Sequence, residues 1–403
     1  MIFLVTQLFP PVWLYIPVGG ALVLAGYVGL SVVLLPNLLK SKIILYLSIY
    51  TLLTFLLFLT GNKFFNTTNS VVIPFLTVMS SLLIVNYGIK YKDISFVKTV
   101  IYSTFLLLIT ITIISLPFVY RFPNIIRGAS IYAASAENIT EFYWVIGYGV
   151  IHGLTAIFAP LGFLVRKIYK SNIFSSILWL GITLLLLYIV YLSNATTALI
   201  FSILTFIGGI LINISTLSKK SILKFVFFGI VSIFIFNKTT IVAVLDSVQP
   251  LFNENGSNYK KIDDIKDSFI YGDSDGSVGA REDLYDDSFT LFLESPIIGT
   301  TKGDMIGLHS YFLDRLAALG ILLIIPLILM FVSHIKSIYQ RLERTRIIYL
   351  IGCMTYIIML SLKNEFGTGT FLFAFAILPL FCFYIENVLN ITNNENRSFN
   401  QKS

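Results

Sequence analysis

IFSSILWLGITLLLLYIVYL, residues 173–192, holds twenty side chains and no charge. Arg166, Lys167 and Lys170 precede it, and Ser193-Asn194 follow. As an α-helix such a stretch is ~30 Å long, the thickness of a bilayer's hydrocarbon core. Lipid offers no partner to unsatisfied backbone groups, so a segment of this kind crosses as a helix. The pattern recurs at 12–35, 42–60, 70–90, 98–120, 143–165, 196–214, 222–243, 310–333, 346–363 and 368–389. The weakly alternating ten-residue segments of a membrane β-barrel are absent from the sequence.

Composition agrees. Of 403 residues 56% are hydrophobic and 12% charged, against about a quarter charged in a soluble domain. The predicted fold is an all-α polytopic membrane protein with about eleven (ten to twelve) transmembrane helices and one large extracytoplasmic loop. The opening stretch to Leu35 holds one span, or a span plus a shallow hairpin broken at Pro10-Pro11. It has neither a basic n-region nor a small-residue cleavage site and is not read as a removable signal.

The formal charge of +7 invites a nucleic-acid reading, which the distribution rejects. Seventeen Lys and Arg sit in alternate loops and the tail, among them Lys40, Lys42, Lys90, Lys92, Lys219, Lys220, Arg341 and Arg344. The short loops opposite hold only Lys63, Arg121, Arg127 and Lys363. Positive residues mark the cytoplasmic side, so the N-terminus is expected outside and the C-terminus inside. Cys353 and Cys382 both fall within spans and read as packing residues.

This divides the chain into a bundle of about eight spans (1–243), a loop (244–308), further spans (309–392) and a polar tail (393–403). Between Val244 and Ile306 the loop carries 13 acidic residues against 5 basic ones. It reads as a polar stretch from Asn253 to Ser277, an amphipathic helix over 279–294, then a turn through Pro296, Gly299 and Gly303. Leu284, Tyr285, Phe289, Phe292 and Leu293 form the apolar flank of that helix, opposite Glu282, Asp283, Asp286 and Asp287. Asp273-Ser274-Asp275-Gly276 resembles the start of a calcium loop, but the later ligands do not fall where one requires them.

Inside the spans ionisable groups are scarce, His152 being the main exception. Transporters place charges at mid-membrane to bind coupling ions, so this scarcity argues against coupled transport. Chemistry-bearing residues gather instead at the late loop: Arg281, His309 and Arg315. On one helix Arg315 would lie ~9 Å deeper than His309. An imidazole can take a proton near neutral pH, and a guanidinium matches a phosphate's oxygens. The same residues also admit plainer roles: a snorkelling anchor for Arg315, a helix cap for His309, a surface ion pair for Arg281.

The order of these residues resembles a known family. Arg281 in a short helix ends before Ser295-Pro296-Ile297-Ile298-Gly299. His309, Leu313 and Leu319-Gly320 then enter a span. Together with the late outer loop, this is similar to the C-terminal signature of the O-antigen polymerase/ligase family (Wzy/WaaL type). The resemblance implies a GT-C-like, metal-independent, inverting glycosyltransferase of the bacterial cytoplasmic (inner) membrane that uses no cofactor. Such an enzyme moves a glycan from an undecaprenyl-pyrophosphate carrier to an acceptor hydroxyl on the outer side. Its partners would be the lipid-linked donor, the glycan acceptor, membrane lipid and a possible chain-length regulator protein, with no nucleic acid. His309 and Arg281 would be catalytic, and Arg315, Arg127 and Arg121 would bind the pyrophosphate. Family members often carry Ser-Arg where this chain reads Ser193-Asn194, and His-Asn where it has His309-Ser310. An O-antigen or capsule polymerase is the leading expectation and a ligase the nearest alternative. A flippase or other transporter is the alternative from another class.

Overall fold

A computed structural model describes residues 36–59, 68–122, 125–126, 145–169, 172–212, 238–252, 254, 257–271, 279–300, 302–307, 309–362 and 368–387, with a few isolated positions before residue 36. Among these the secondary structure is helical, with no strand. The helices are α1 (Lys42–Leu59), α2 (Thr68–Lys90), α3 (Ile94–Arg121), α4 (Tyr148–Tyr169), α5 (Ile173–Leu192) and α6 (Thr196–Leu211). They continue as α7 (Lys238–Val248), α8 (Ser257–Tyr271), α9 (Gly279–Glu294), α10 (Tyr311–Arg341), α11 (Arg346–Leu362) and α12 (Gly369–Asn387).

Six of them, α1, α3, α4, α5, α10 and α12, are long and apolar enough to cross a membrane. Three more, α6, α11 and the Pro74–Lys90 part of α2, are apolar but shorter. The spans expected at 12–35 and 222–243 lie largely outside the described residues. The apolar stretch of α12 is wholly buried and that of α4 nearly so, which makes these two the centre of the bundle. Outward faces carry Leu52, Leu106, Leu184 and Leu204, all exposed. Exposed apolar surface on this scale needs lipid against it.

Without a hydrophobic drive between helices in lipid, close packing relies on small residues. A Cβ at Gly162 of α4 would collide with the Phe206 carbonyl of α6, and one at Gly209 with that of Ala159. Arg166 then closes the end of α6, donating from Nη1 to the carbonyls of Ile210 at 2.6 Å and Ile212 at 3.0 Å. These are groups a helix end leaves without partners.

The element that places the site is α10. Its backbone breaks at Gly320, with φ 65° and ψ 179°. The rings of Phe312 and Phe331 stand 6.0 Å apart, whereas nineteen residues of straight helix would separate them by ~28 Å. Tyr311 likewise lines one cleft with Leu327 and Met330. The 31-residue element is therefore a hairpin of two arms, 311–319 and 321–341, folded back on each other.

Breaking a helix inside a membrane protein frees backbone groups that must find partners. The turn after α9 supplies them. Ile321 N–H donates to the Pro296 carbonyl at 2.8 Å, Leu322 N–H to that of Ile297 at 3.0 Å, and Thr300 N–H to that of Ala317 at 2.8 Å. Gly299 takes φ 81° in this contact, and a Cβ there would run into the Ala318 carbonyl.

The polar stretch expected from Asn253 to Ser277 proves to contain helix α8. It is held to α7 by Lys266, which reaches Asp246 at 2.6 Å and Gln249 Oε1 at 2.8 Å. The Asp246 carboxylate raises the pKa of the Lys266 ammonium. Gln249 in turn donates to Asp263 at 3.0 Å. This polar clasp leaves no apolar period in the sequence, so hydrophobic spacing missed the helix.

Candidate functional site

Arg315 rides on the first arm of α10 and His309 stands just before it, in an arrangement the sequence did not foretell. His309 precedes the helix. Its cap is Ser310, whose hydroxyl accepts from Leu313 N–H at 3.3 Å. Asp314 reaches back one turn, its carboxylate accepting from Ser310 N–H at 3.1 Å, from the His309 backbone N–H and from the Ser288 hydroxyl at 2.8 Å. The Ser288 hydroxyl accepts from Gly307 N–H at 3.0 Å. Asp314 and Ser288, both fully buried, thus fix the chain on either side of His309. The imidazole is half-buried, its ring 5.8 Å from that of Tyr285 on α9. Tyr285 donates its hydroxyl to the Leu362 carbonyl at the end of α11 at 3.1 Å.

Arg315 is buried within the protein, so its guanidinium does not reach outwards to water as a snorkelling side chain's does. Its Nε donates to the Tyr50 hydroxyl on α1 at 3.1 Å, and its Nη1 to the Tyr311 carbonyl at 3.4 Å. The guanidinium carbon lies 3.6 Å from the Tyr311 ring centroid, close enough for a strong cation–π contact. Tyr50 and Tyr311 also line a narrow cleft of about 10 Å³ between α1, α2, α10 and α12, otherwise bounded by apolar side chains such as Leu47, Val78 and Phe371. The expected order of depth is inverted. Because the first arm runs towards the break, Arg315 lies nearer Gly320, while His309 and Tyr311 lie level with the middle of the second arm.

Arg281 falls in the first turn of α9, one turn before Tyr285; its side chain lies outside the described residues. Arg127 also lies outside them, as does the calcium-loop-like segment. Arg121 ends α3, exposed, with its guanidinium 5.3 Å from the Phe122 ring. The helix α3 packs chiefly on α5 rather than on the re-entrant arm. Asn194, where an arginine was expected from the resemblance, sits at φ 55° in the tight α5–α6 turn, a conformation asparagine tolerates better than most residues. His152 is buried inside α4, its ring edge-on to Tyr148 at 4.3 Å.

The apolar flank read for α9 is also corrected. Leu284, Ser288 and Leu291 turn inwards, while Phe289 and Leu293 are exposed. A buried serine is invisible to a hydrophobic pattern, and its partner Asp314 could not be paired with it from spacing alone. Tyr50, 265 residues before Arg315, gave no sequence signal either.

Chemically, this segment combines a buried cation, a histidine whose backbone is held by a carboxylate-centred network and an adjoining apolar cleft. A guanidinium away from water favours an anion strongly, and phosphate suits its geometry.

Comparison with known proteins agrees with the residues. Residues 181–328 match the family model Wzy_C, described as O-antigen ligase. The matched stretch takes in α9, the Ser295–Thr300 turn and the re-entrant arm with His309 and Arg315. No curated protein and no solved structure matches the chain. Residues 181–328 thus carry a Wzy_C (O-antigen ligase) domain.

Proposed function

We propose that this protein is a membrane glycosyltransferase that polymerises oligosaccharide repeat units carried on undecaprenyl pyrophosphate, at the outer side of the bacterial cytoplasmic membrane. The observation that carries the reading is the re-entrant arm, which begins just after His309 and carries buried Arg315, bonded to Tyr50 at the Tyr50–Tyr311 cleft, inside the Wzy_C match. In the reaction the acceptor hydroxyl attacks the anomeric carbon of the donor sugar from the face opposite the phosphate. A carbon–oxygen bond forms there and the bond to the pyrophosphate breaks, inverting the centre. His309 takes the hydroxyl proton or orients the acceptor. Arg315 and Arg281 offset the charge that builds on the leaving pyrophosphate, with Arg127 or Arg121 adding a further contact. No activated water is needed, so positioning and charge stabilisation supply the acceleration without a metal or cofactor. A chain-length regulator is the expected protein partner.

The ligase reading rests on the description of the matched family, and the two share donor and motif. Purified protein in lipid, given lipid-linked repeat units alone, is expected to build a ladder of polymer. Transfer to a lipid A-core acceptor without any ladder would make it a ligase, and neither product would overturn both. His309→Ala and Arg281→Ala should each abolish chain extension while leaving membrane insertion intact. Near-normal chain lengths in both variants would remove the site assignment.

A further inference from the structure

The exposed apolar residues of the late loop do not face water. We infer that the C-terminal half of α9 and the turn after it are immersed in the bilayer, with Phe289, Leu293, Ile297 and Ile298 against lipid acyl chains. These four are 48%, 58%, 65% and 61% exposed, in a segment the charge pattern otherwise marks as the protein's aqueous loop.

Their depth is fixed by backbone bonds. The carbonyls of Pro296 and Ile297 accept from Ile321 and Leu322, at the head of the second arm of α10. Ile321 and Leu322 are themselves exposed, and the same outward face continues through Ile325, Ile328 and Val332. The first charged residue after Gly320 is Lys336, fifteen residues beyond Ile321, or ~22 Å along a helix. A hydrocarbon core of ~30 Å with Lys336 at its far border therefore covers Ile321 by several ångströms. Whatever is bonded to Ile321 and Leu322 is covered with them.

The helix itself is built for three surroundings. Leu284, Ser288 and Leu291 face the protein. Asp283, Asp286, Asp287, Thr290 and Glu294 form a second exposed band. Because α9 runs beside the first arm of α10 towards the break, Asp287 lies deeper than Ile298, and this band therefore lines a water-filled opening to the outer side. Phe289 and Leu293 form the third; exposed Asp286, one turn before Phe289 on the same side, bounds it towards the start of the helix, and from Phe289 it runs on into Ile297 and Ile298. Glu294, nearest the apolar end, is paired with Lys302 at 2.8 Å, which lowers the cost of bringing its charge close to lipid. Continuity with the lipid-facing side of α10 selects acyl chains as the occupant over a partner protein.

Single cysteines at positions 287, 293 and 298, carrying nitroxide labels in lipid vesicles, test this. Cys353 and Cys382 are buried and do not compete for label. For Leu293→Cys and Ile298→Cys, collisions with oxygen should exceed those with an aqueous nickel chelate severalfold, and the order should reverse for Asp287→Cys. Chelate-dominated collisions at 298 would put the turn in water. Shielding from both reagents would put it under protein, a second copy included. Either result overturns the inference. The unlabelled variants give an independent reading in membranes of both orientations. Asp287→Cys should react with a membrane-impermeant maleimide and Ile298→Cys only after detergent is added; reaction at 298 before detergent would also overturn it.

Discussion

At Asp314 three donors meet one carboxylate: the Ser288 hydroxyl and the backbone N–H groups of His309 and Ser310. Bonds to a charged acceptor are worth about 1.5–3 kcal/mol each, and stranding a buried donor costs about 1–3 kcal/mol. Asp314→Asn keeps the shape but turns an NH₂ towards groups that themselves donate. It should lower the melting midpoint and slow chain extension at least tenfold, because the segment holding His309 loses its anchor. Ser288→Ala strands the Gly307 N–H and should act in the same direction, more weakly. A denaturation series run beside a turnover assay checks both, and wild-type turnover in Asp314→Asn would show that His309 does not depend on it. Tyr50→Phe leaves the cleft lined but removes the partner of Arg315 Nε. A loss of about 1.4 kcal/mol is tenfold in affinity, so donor binding should weaken by about that factor, read as a raised KM for the lipid-linked donor.

The re-entrant hairpin depends on two glycines in positive-φ conformations, Gly299 and Gly320. At Gly320 a Cβ would stand 2.5 Å from the Gly299 nitrogen and the Ile297 carbonyl. Left-handed backbone costs a residue with a Cβ about 1–2 kcal/mol, and overpacking adds about 1–3 kcal/mol. Gly320→Ala should therefore open the zipper between the turn and the arm, destabilise the fold by several kcal/mol and expose the late loop to protease. Pro296→Ala, which keeps the accepting carbonyl, should do much less. Limited proteolysis with melting curves separates the two, and equal resistance in Gly320→Ala would contradict the zipper. The sequence declares Gly299 and Leu319-Gly320 as turn signals, and it declares α9 down to its first and last residues. It cannot declare that the turn at 295–300 completes the hydrogen bonds of a helix break at 320. Hydrophobic blocks encode how long a helix is, and 311–341 is apolar enough to pass for one straight span. The reversal at Gly320 lives in long-range contacts such as Phe312 with Phe331. The same limit hid Tyr50 behind Arg315, and it hid α8, whose clasp to α7 is polar.

For the whole molecule the hairpin decides how the crossings add up. Taking α1 to α6 as six crossings, the chain end at Leu211 returns to the side of Lys42. The basic cluster Lys219, Lys220 and Lys224 then joins Lys40 and Lys42, as the positive-inside rule requires. At the other end, α10 contributes one crossing despite its 31 residues, because only the arm from 321 to 341 runs the full distance. With α11 and α12 that makes three crossings from Gly320 to Asn387, which puts the C-terminus on the side of Arg341 and Arg344. The two halves agree only if the chain crosses once between Lys224 and α8, where the span at 222–243 is expected and where α7 extends helix to Val248. The loop with α8 and α9 must then lie opposite Lys219 and Lys220. Reporters that distinguish the two faces, fused after Lys220, after Asn255, after Arg344 and at the C-terminus, should report inside, outside, inside and inside. If the fusions after Lys220 and Asn255 report the same face, that crossing does not exist. The acidic loop would then face the cytoplasm, and a reaction with lipid-linked glycan on the outer side would lose its site.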